Sequence, residues 1–545
     1  KGRGLAFLFT RMLDLGLGSE FPDVEFVVPR SVVIGTDVFE EFVEDNGLGR
    51  FAHEDHEDEE VNGAFLKAGF TDEMEKKISV MLQQTKWPLA VRSSSLLEDS
   101  SHQPFAGVYA TYMLANDHPD PVVRLKRVLE AIKLVYASTY YRRAKAYVAA
   151  TPSTIEDERM AVVIQDLVGD EVNGRFYPTI SGAARSRNHY PVEPILAEDG
   201  IAAICIGLGR QVSNGGKCLR YSPGQPRRIH QFYSNQATLD TSQRNFFAIP
   251  MRQEDGEVHA EEEDNLLNLS LAEAEEDGCL ALVGSTYVVS DDRMVDSLAV
   301  DGGPRVVTFA PVLKHGRFPL SEILSHVLNT CQNYIGSPVE LEFAMSINQD
   351  SGKRRFAILQ VRPMMEESVD IDIDLADVER SKAMCICSQS LGNGVIEGIR
   401  DVVYVHPERL DRMRTTDLIS EIAAIDAALR AEDRPYVLIG PGRWGSSDPS
   451  LGIPAQWDHI MGSSVIVEVP MTDIHVEPSQ GTHFFQNIIT FNIGYLTIGP
   501  DDFVDWEWLD SVAASTDSGA LRHVSLDEPL KVILDSRDSE AIITR

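Results

Sequence analysis

At 545 residues, 43% of them hydrophobic and 24% charged, the chain has the balance of a soluble globular protein and the length for about two to four domains with packed cores. Its net charge of -35 argues against a nucleic acid or an anionic membrane as partner, since both would be repelled over the whole surface, and it leaves room only for local cationic pockets. No apolar run reaches the about eighteen residues that a membrane-spanning helix needs, and the start has no signal-peptide pattern. The six scattered cysteines (Cys205, Cys218, Cys279, Cys331, Cys385 and Cys387) fit a reducing, cytoplasmic setting. Only Cys385 and Cys387 lie close together, and a lone C-x-C is a poor metal site. The sequence opens without Met, and a longer natural chain ahead of Lys1 is expected.

In chain order, residues 1–250 alternate strand-like and helix-like patterns, which predicts mixed α/β or α+β layers. His53 to Glu60 reads as an exposed acidic loop. Leu89-Ala90-Val91-Arg92 is an apolar strand that delivers one cation into a run of three serines, Ser93 to Ser95, followed by Glu98 and Asp99 and a flexible Phe105-Ala106-Gly107 turn. The planar donor fork of Arg92, with hydroxyls and free backbone N–H groups, suits phosphate oxygens. The competing reading is a structural ion pair between Arg92 and Glu98 or Asp99. Pro121 to Ala150 is predicted as one helix, from apolar residues at helical spacing, and Met160 to Val168 as a buried strand. Residues 251–278 are acidic and read as a solvated helix or linker.

Residues 279–370 carry the most informative pattern. In Val339-Glu340-Leu341-Glu342-Phe343 apolar and acidic residues alternate, so Glu340 and Glu342 share one face of a strand, roughly 7 Å apart. Two carboxylates so placed suit a hard divalent cation such as Mg²⁺. A turn centred near Ser351 leads into Phe356 to Arg362, and that register sets Glu342 opposite Gln360 and Glu340 opposite Arg362. The alternative is an amphipathic hairpin with its polar face in water.

These segments resemble the nucleotide-binding domain of the phosphoenolpyruvate synthase and pyruvate phosphate dikinase family. That family's Val-Arg-Ser-Ser-Ala, Glu-Asp and Ser-Phe-Ala-Gly elements are similar to Val91 through Gly107, and its acidic-x-Glu and Leu-Gln-x-Arg-Pro strands to Glu340-Leu341-Glu342 and Leu359 through Pro363. The resemblance implies an ATP-grasp domain of two lobes, with ATP and Mg²⁺ as cofactors. It implies Arg92 and Lys1, from a Gly-Gly-Lys-Gly motif, as phosphate ligands, with Gly107 in the turn that closes over them. Glu340 and Glu342 are then metal ligands, Gln360 lies near the nucleotide, and Arg362 is held more loosely. The segment Val162 to Val168, with Gln165, Leu167 and Val168, is similar to the strand lining the adenine pocket, and Glu171 to the loop after it. The chain departs from the family pattern in two places: Arg210 stands where a Glu follows Gly209, and Arg185 and Arg187 lie in the stretch of an unrecognisable Thr-x-Asn-Pro segment.

Residues 383–545 read as a smaller mixed α/β domain, faintly similar to the family's phosphohistidine swivelling domain. The strand Val465 to Val469, then Gly481-Thr482-His483, echoes its strand–glycine–histidine order. This makes His483 a candidate phosphoacceptor, against an ordinary loop histidine. Gly440 to Asp448, with Arg443 and Trp444, is either an anion nest or a tight loop, with His475, Ser479 and Gln480 as candidate neighbours. No stretch after residue 380 can hold a TIM barrel of about 250 residues, so a complete phosphoenolpyruvate synthase is not expected. The expectation is an ATP- and Mg²⁺-dependent phosphotransferase whose acceptor is a histidine, here or on another protein, or a small molecule. The alternatives are a non-catalytic ATP-binding regulator or a purely structural domain.

Overall fold

A computed structural model describes residues 1–11, 16–95, 98, 107–149, 158–189, 191–192, 194–252, 257–348, 351–364, 382–392, 394–410, 415–471, 482–491, 493–535 and 540–545. The expected mixed class is observed, with helices layered on several sheets. One sheet runs Val24–Val27, Arg354–Pro363, Val339–Ile347, Ile180–Arg185, Ile201–Cys205, Leu219–Tyr221. A second runs Ser31–Ile34, Met160–Asp166, Leu89–Ser95, Thr111–Leu114.

The hairpin forms in the expected register. Glu340 pairs with Arg362 and Glu342 with Gln360, and a β-bulge follows between Glu342 and Phe343. Its apolar face explains the fold. Leu341, Phe343 and Met345 are fully buried against the helix Leu320–Ile335, which contributes Ile323, Leu324, Val327, Leu328 and Cys331. Each such side chain contributes about 1.5–3 kcal/mol on burial. Gly336 (φ 81) ends that helix in the left-handed conformation, which releases the chain into the hairpin.

Three expected elements differ. The Pro121 helix starts as its sequence dictates, with Asp120 capping Val122 N–H (2.8 Å) and Pro121 in the first turn. It stops at Ser138, however, whose hydroxyl donates back to Val135 O (2.7 Å) and accepts from Ala110 N–H (3.1 Å). A separate helix, Arg142–Ala149, restarts where Asp58 accepts from Arg142 N–H (2.9 Å). The residues from His53 to Glu60 are no simple loop. Helix Leu48–His53 ends there and Asp58–Lys67 begins, with three acids in its first turn, where the helix dipole favours them.

The acidic stretch also contains a strand, Leu267–Ser270, paired with Asn245–Pro250, and a helix, Leu271–Glu276, opened by a Ser270–Glu273 capping box. It folds across the lobes. Ala260 O accepts from Tyr112 OH (2.6 Å), and Glu262 takes Arg210 (2.6 Å). Arg210, the departure after Gly209, is thus the anchor of this strap.

The C-terminal region is built on a mixed sheet. Its centre, Gly394–Val405, Tyr436–Pro441, Ser463–Val469 and Gly494–Thr497, is parallel, and Leu521–Asp535 runs antiparallel beside it. One hydrophobic core passes through Phe39, Phe65 and Tyr136 of the first lobe and on into Tyr436, Trp444 and Phe484. Gly440 to Asp448 is the tight segment of the two expectations, with Gly442 (φ 71) and Gly445 (φ 73) left-handed, and its polar groups are engaged with protein neighbours. Gly442 N–H donates to Val469 O (2.9 Å), Trp444 N–H to Glu468 (2.9 Å) and Ser447 N–H to Asn214 O (2.9 Å), while Ser446 OH donates to Gly215 O (2.8 Å). The segment is a seam docked on the Gly207–Gly215 stretch. All six cysteines are buried and unbridged. Among the described residues no helix is long and apolar enough to cross a membrane.

Candidate nucleotide site

Arg92 lies on the strand Leu89–Ser95, and its side chain crosses from one sheet to the other. Nη2 donates to Glu342 Oε2 (2.9 Å) and to Gln360 Oε1 (3.1 Å), and Nη1 reaches Gln165 Oε1 (3.4 Å). Four residues read separately from the sequence therefore meet. Among the described residues the carboxylate partner of Arg92 is Glu342, not Glu98. Glu98 instead pairs with Lys1 Nζ, which also donates to Ser93 O (2.9 Å), and Asp99 lies outside the described residues.

Glu340 occupies the next row and is the more heavily engaged acid. Arg185 Nε donates to its Oε2 (2.6 Å), Arg362 Nε to its Oε1 (3.0 Å), and Gln486 Nε2 to the same Oε1 (2.8 Å). Burial pushes the Glu340 carboxyl up, but Arg362 and Arg185 outweigh it and hold it down at about 2. Glu342 balances the same forces, burial raising it and Arg92 and Arg362 bringing it below the usual carboxylate range. The polar face of the hairpin is thus covered largely by arginines, with Glu342 remaining 31% exposed.

The third contributor is the helix His483–Thr490. Its start is set by Thr482, whose hydroxyl accepts from Phe485 N–H (3.1 Å), an N-cap. His483 is therefore the first helical residue, not a loop residue, and its ring lies against the backbone of Gly107. Gly107 has φ +69, and no side chain would fit there beside the imidazole. Burial, together with the charges of Arg362 and Lys1, outweighs the opposing pull of Glu342 and Glu340 and brings His483 down to about 4. These surroundings favour the neutral imidazole.

The remaining candidates are dispersed. Leu167 O accepts from Trp87 Nε1 (2.6 Å), Val168 packs with Ala344 and Ala357, and Glu171 pairs with Arg252 (2.8 Å) and joins none of these bonds. Phe105, Ala106, His475, Ser479, Gln480 and Gly481 lie outside the described residues. Arg185, with Arg187 a candidate to replace a missing phosphate contact, is bonded to Glu340 in the cluster.

Among the described residues no group of three or more His, Cys, Asp and Glu is arranged to hold a metal. Glu342 keeps Oε1 without a hydrogen-bond partner among the described residues and suits a hard cation, whereas both oxygens of Glu340 are taken by nitrogen donors.

The fold is α+β, and two of its sheets meet across a band of arginines, carboxylates and amides. The sequence profile described as "Pyruvate phosphate dikinase, AMP/ATP-binding domain" matches residues 12–382, and the chain belongs to that family. A protein of Bacillus subtilis (strain 168), described as an uncharacterized phosphotransferase, YvkC, is 23% identical over 359 residues, which cover 65% of this chain and 33% of the relative. The chain spans about a third of the length of that curated relative.

Proposed function

We propose that the chain is a phosphotransferase that binds ATP with Mg²⁺ between the two lobes and passes a phosphoryl group to His483. The observation that carries this reading is the seating of a neutral imidazole on Gly107, beside the Arg92–Glu342–Gln360 cluster. Arg92 and Lys1 would exchange their carboxylate partners for phosphate oxygens, and Gln165 and Gln360 would keep the Arg92 fork oriented. Glu342 would hold Mg²⁺, which supplies charge neutralisation on the phosphates. A ring nitrogen of His483 forms the bond to phosphorus as the bond to the leaving phosphate oxygen breaks. Arg92 receives the negative charge that develops on the leaving group. Transfer of this kind rests on positioning and charge, which these side chains supply. The onward acceptor is a small molecule or a protein.

A second reading, a non-catalytic ATP-binding regulator, is favoured by the engagement of Glu340 with Arg185, Arg362 and Gln486. Incubation with γ- and β-labelled ATP and Mg²⁺ separates the two. Protein-bound label in the wild type, absent in His483→Ala, is the result expected of the phosphotransferase. Tight binding without label or turnover would establish the regulator. Arg92→Ala is expected to weaken ATP binding about tenfold to a hundredfold in calorimetric titration, the loss of charge-assisted bonds to phosphate. Unchanged affinity would remove Arg92 from the site.

A further inference from the structure

The helix that carries His483 is held by more than its contact with Gly107. Phe485 is fully buried, and its ring packs against Arg185, Tyr495 and His189. The Arg185 guanidinium lies 5.3 Å from its centroid on one side, and the Tyr495 ring meets it edge-on at 5.7 Å on another. Arg185 is itself 3% exposed and is fixed by its Nε bond to Glu340 Oε2. In the next two residues, Gln486 Nε2 bonds the other oxygen of the same carboxylate (2.8 Å), and Asn487 Oδ1 accepts from Tyr147 OH (2.9 Å). The Arg185–Glu340 pair therefore presents two adjacent anchors, a cation for Phe485 and an oxygen for Gln486. A planar guanidinium over an aromatic face is an orienting contact, strongest where water is excluded.

We propose that Arg185 is a positioning residue of this chain: through Phe485, and with Glu340 through Gln486, it seats the first turn of the His483 helix so that the imidazole rests on Gly107. The proposal rests on the reading of His483 as acceptor for its purpose, but not for its geometry. Arg185 acts through the helix and carries no step of transfer itself.

The test uses the full chain and diethyl pyrocarbonate, with carbethoxylation followed at each histidine by peptide mass spectrometry and the exposed His230 as internal reference. In the wild type His483 is expected to react slowly relative to His230. In Arg185→Gln, and in Phe485→Leu, which leaves every charge in place, its relative rate is expected to rise about tenfold, the scale of a desolvated cation–π contact. The ATP KM should stay near the wild-type value while kcat for histidine labelling, expressed per mole of ATP-binding-competent protein so that an unfolded fraction does not count, falls. If Arg185→Gln does not fold, Phe485→Leu decides alone. An unchanged His483 rate in a folded variant overturns the proposal. Absence of label in the wild type would overturn the acceptor reading, while the modification rates would still decide whether Arg185 positions the helix.

Discussion

Glu340→Ala is expected to lower folding stability by about 3–5 kcal/mol, measured by denaturant titration at pH 7. The size follows from what is left behind. Arg185 is 3% exposed at its side chain and Arg362 25%, and both would lose the carboxylate between them. Removing one member of a buried ion pair costs far more than the pair's net worth, because the remaining charge stays desolvated. The effect also has a signature in pH. The Glu340 carboxyl is depressed from 4.5 to about 2, so its contribution is fully present above the unfolded value and is lost as pH falls through about 2. The difference between variant and wild type should therefore be full at pH 7 and shrink over the window from 4.5 down to about 2. A constant difference across that window would mean that the loss is one of packing.

Gly107→Ala is expected to reduce phosphoryl transfer to His483 about a hundredfold while the fold persists. Alanine at φ +69 is strained, and its methyl would occupy the space of the imidazole. The ring must move, and a displacement of about 1 Å is enough to forfeit in-line geometry. Single-turnover labelling checks it directly. Transfer at the wild-type rate would show that His483 does not act from this seat.

The register of the hairpin was legible because both strands follow a period of two and the turn has a clear centre. The rows Glu340–Arg362 and Glu342–Gln360 match a count outward from Ser351, although the pairs nearer the turn, Ile347–Arg354 to Phe343–Ile358, centre half a residue earlier and the bulge makes up the difference. The bulge after Glu342 was not legible, since nothing in a strand's composition marks one extra residue. Nor was the partnership of Glu340 with Arg185, which depends on which strand lies on the other side of Val339–Ile347. The family resemblance placed Arg92 but gave no sign that Glu342 would be its counter-ion.

Two misses had readable signals. Thr482 followed by Phe484, Phe485 and Ile488 has the cap and the spacing of a short helix, and the glycine-turn expectation hid it. Leu267-Asn268-Leu269-Ser270 alternates as a strand should, but the surrounding acids drew attention to net charge instead. The break at Ser138 had no such signal, because the groups outside the helix that fix it, Ala110 at Ser138 and Asp58 at the restart of the next helix, are distant in sequence.

The seating of His483 on Gly107 also bears on the order in which the site comes into being. Chains emerge from the ribosome N-terminus first, and their early segments fold before later ones exist. Arg92, Glu342 and Gln360 can be gathered as soon as the hairpin has been synthesised, but the imidazole arrives only with the strands beyond Ser463–Val469. A nascent chain halted before that point would hold a phosphate cluster with no histidine over it. The capacity to carry a phosphoryl group on His483 would then appear only after the nucleotide cluster is in place.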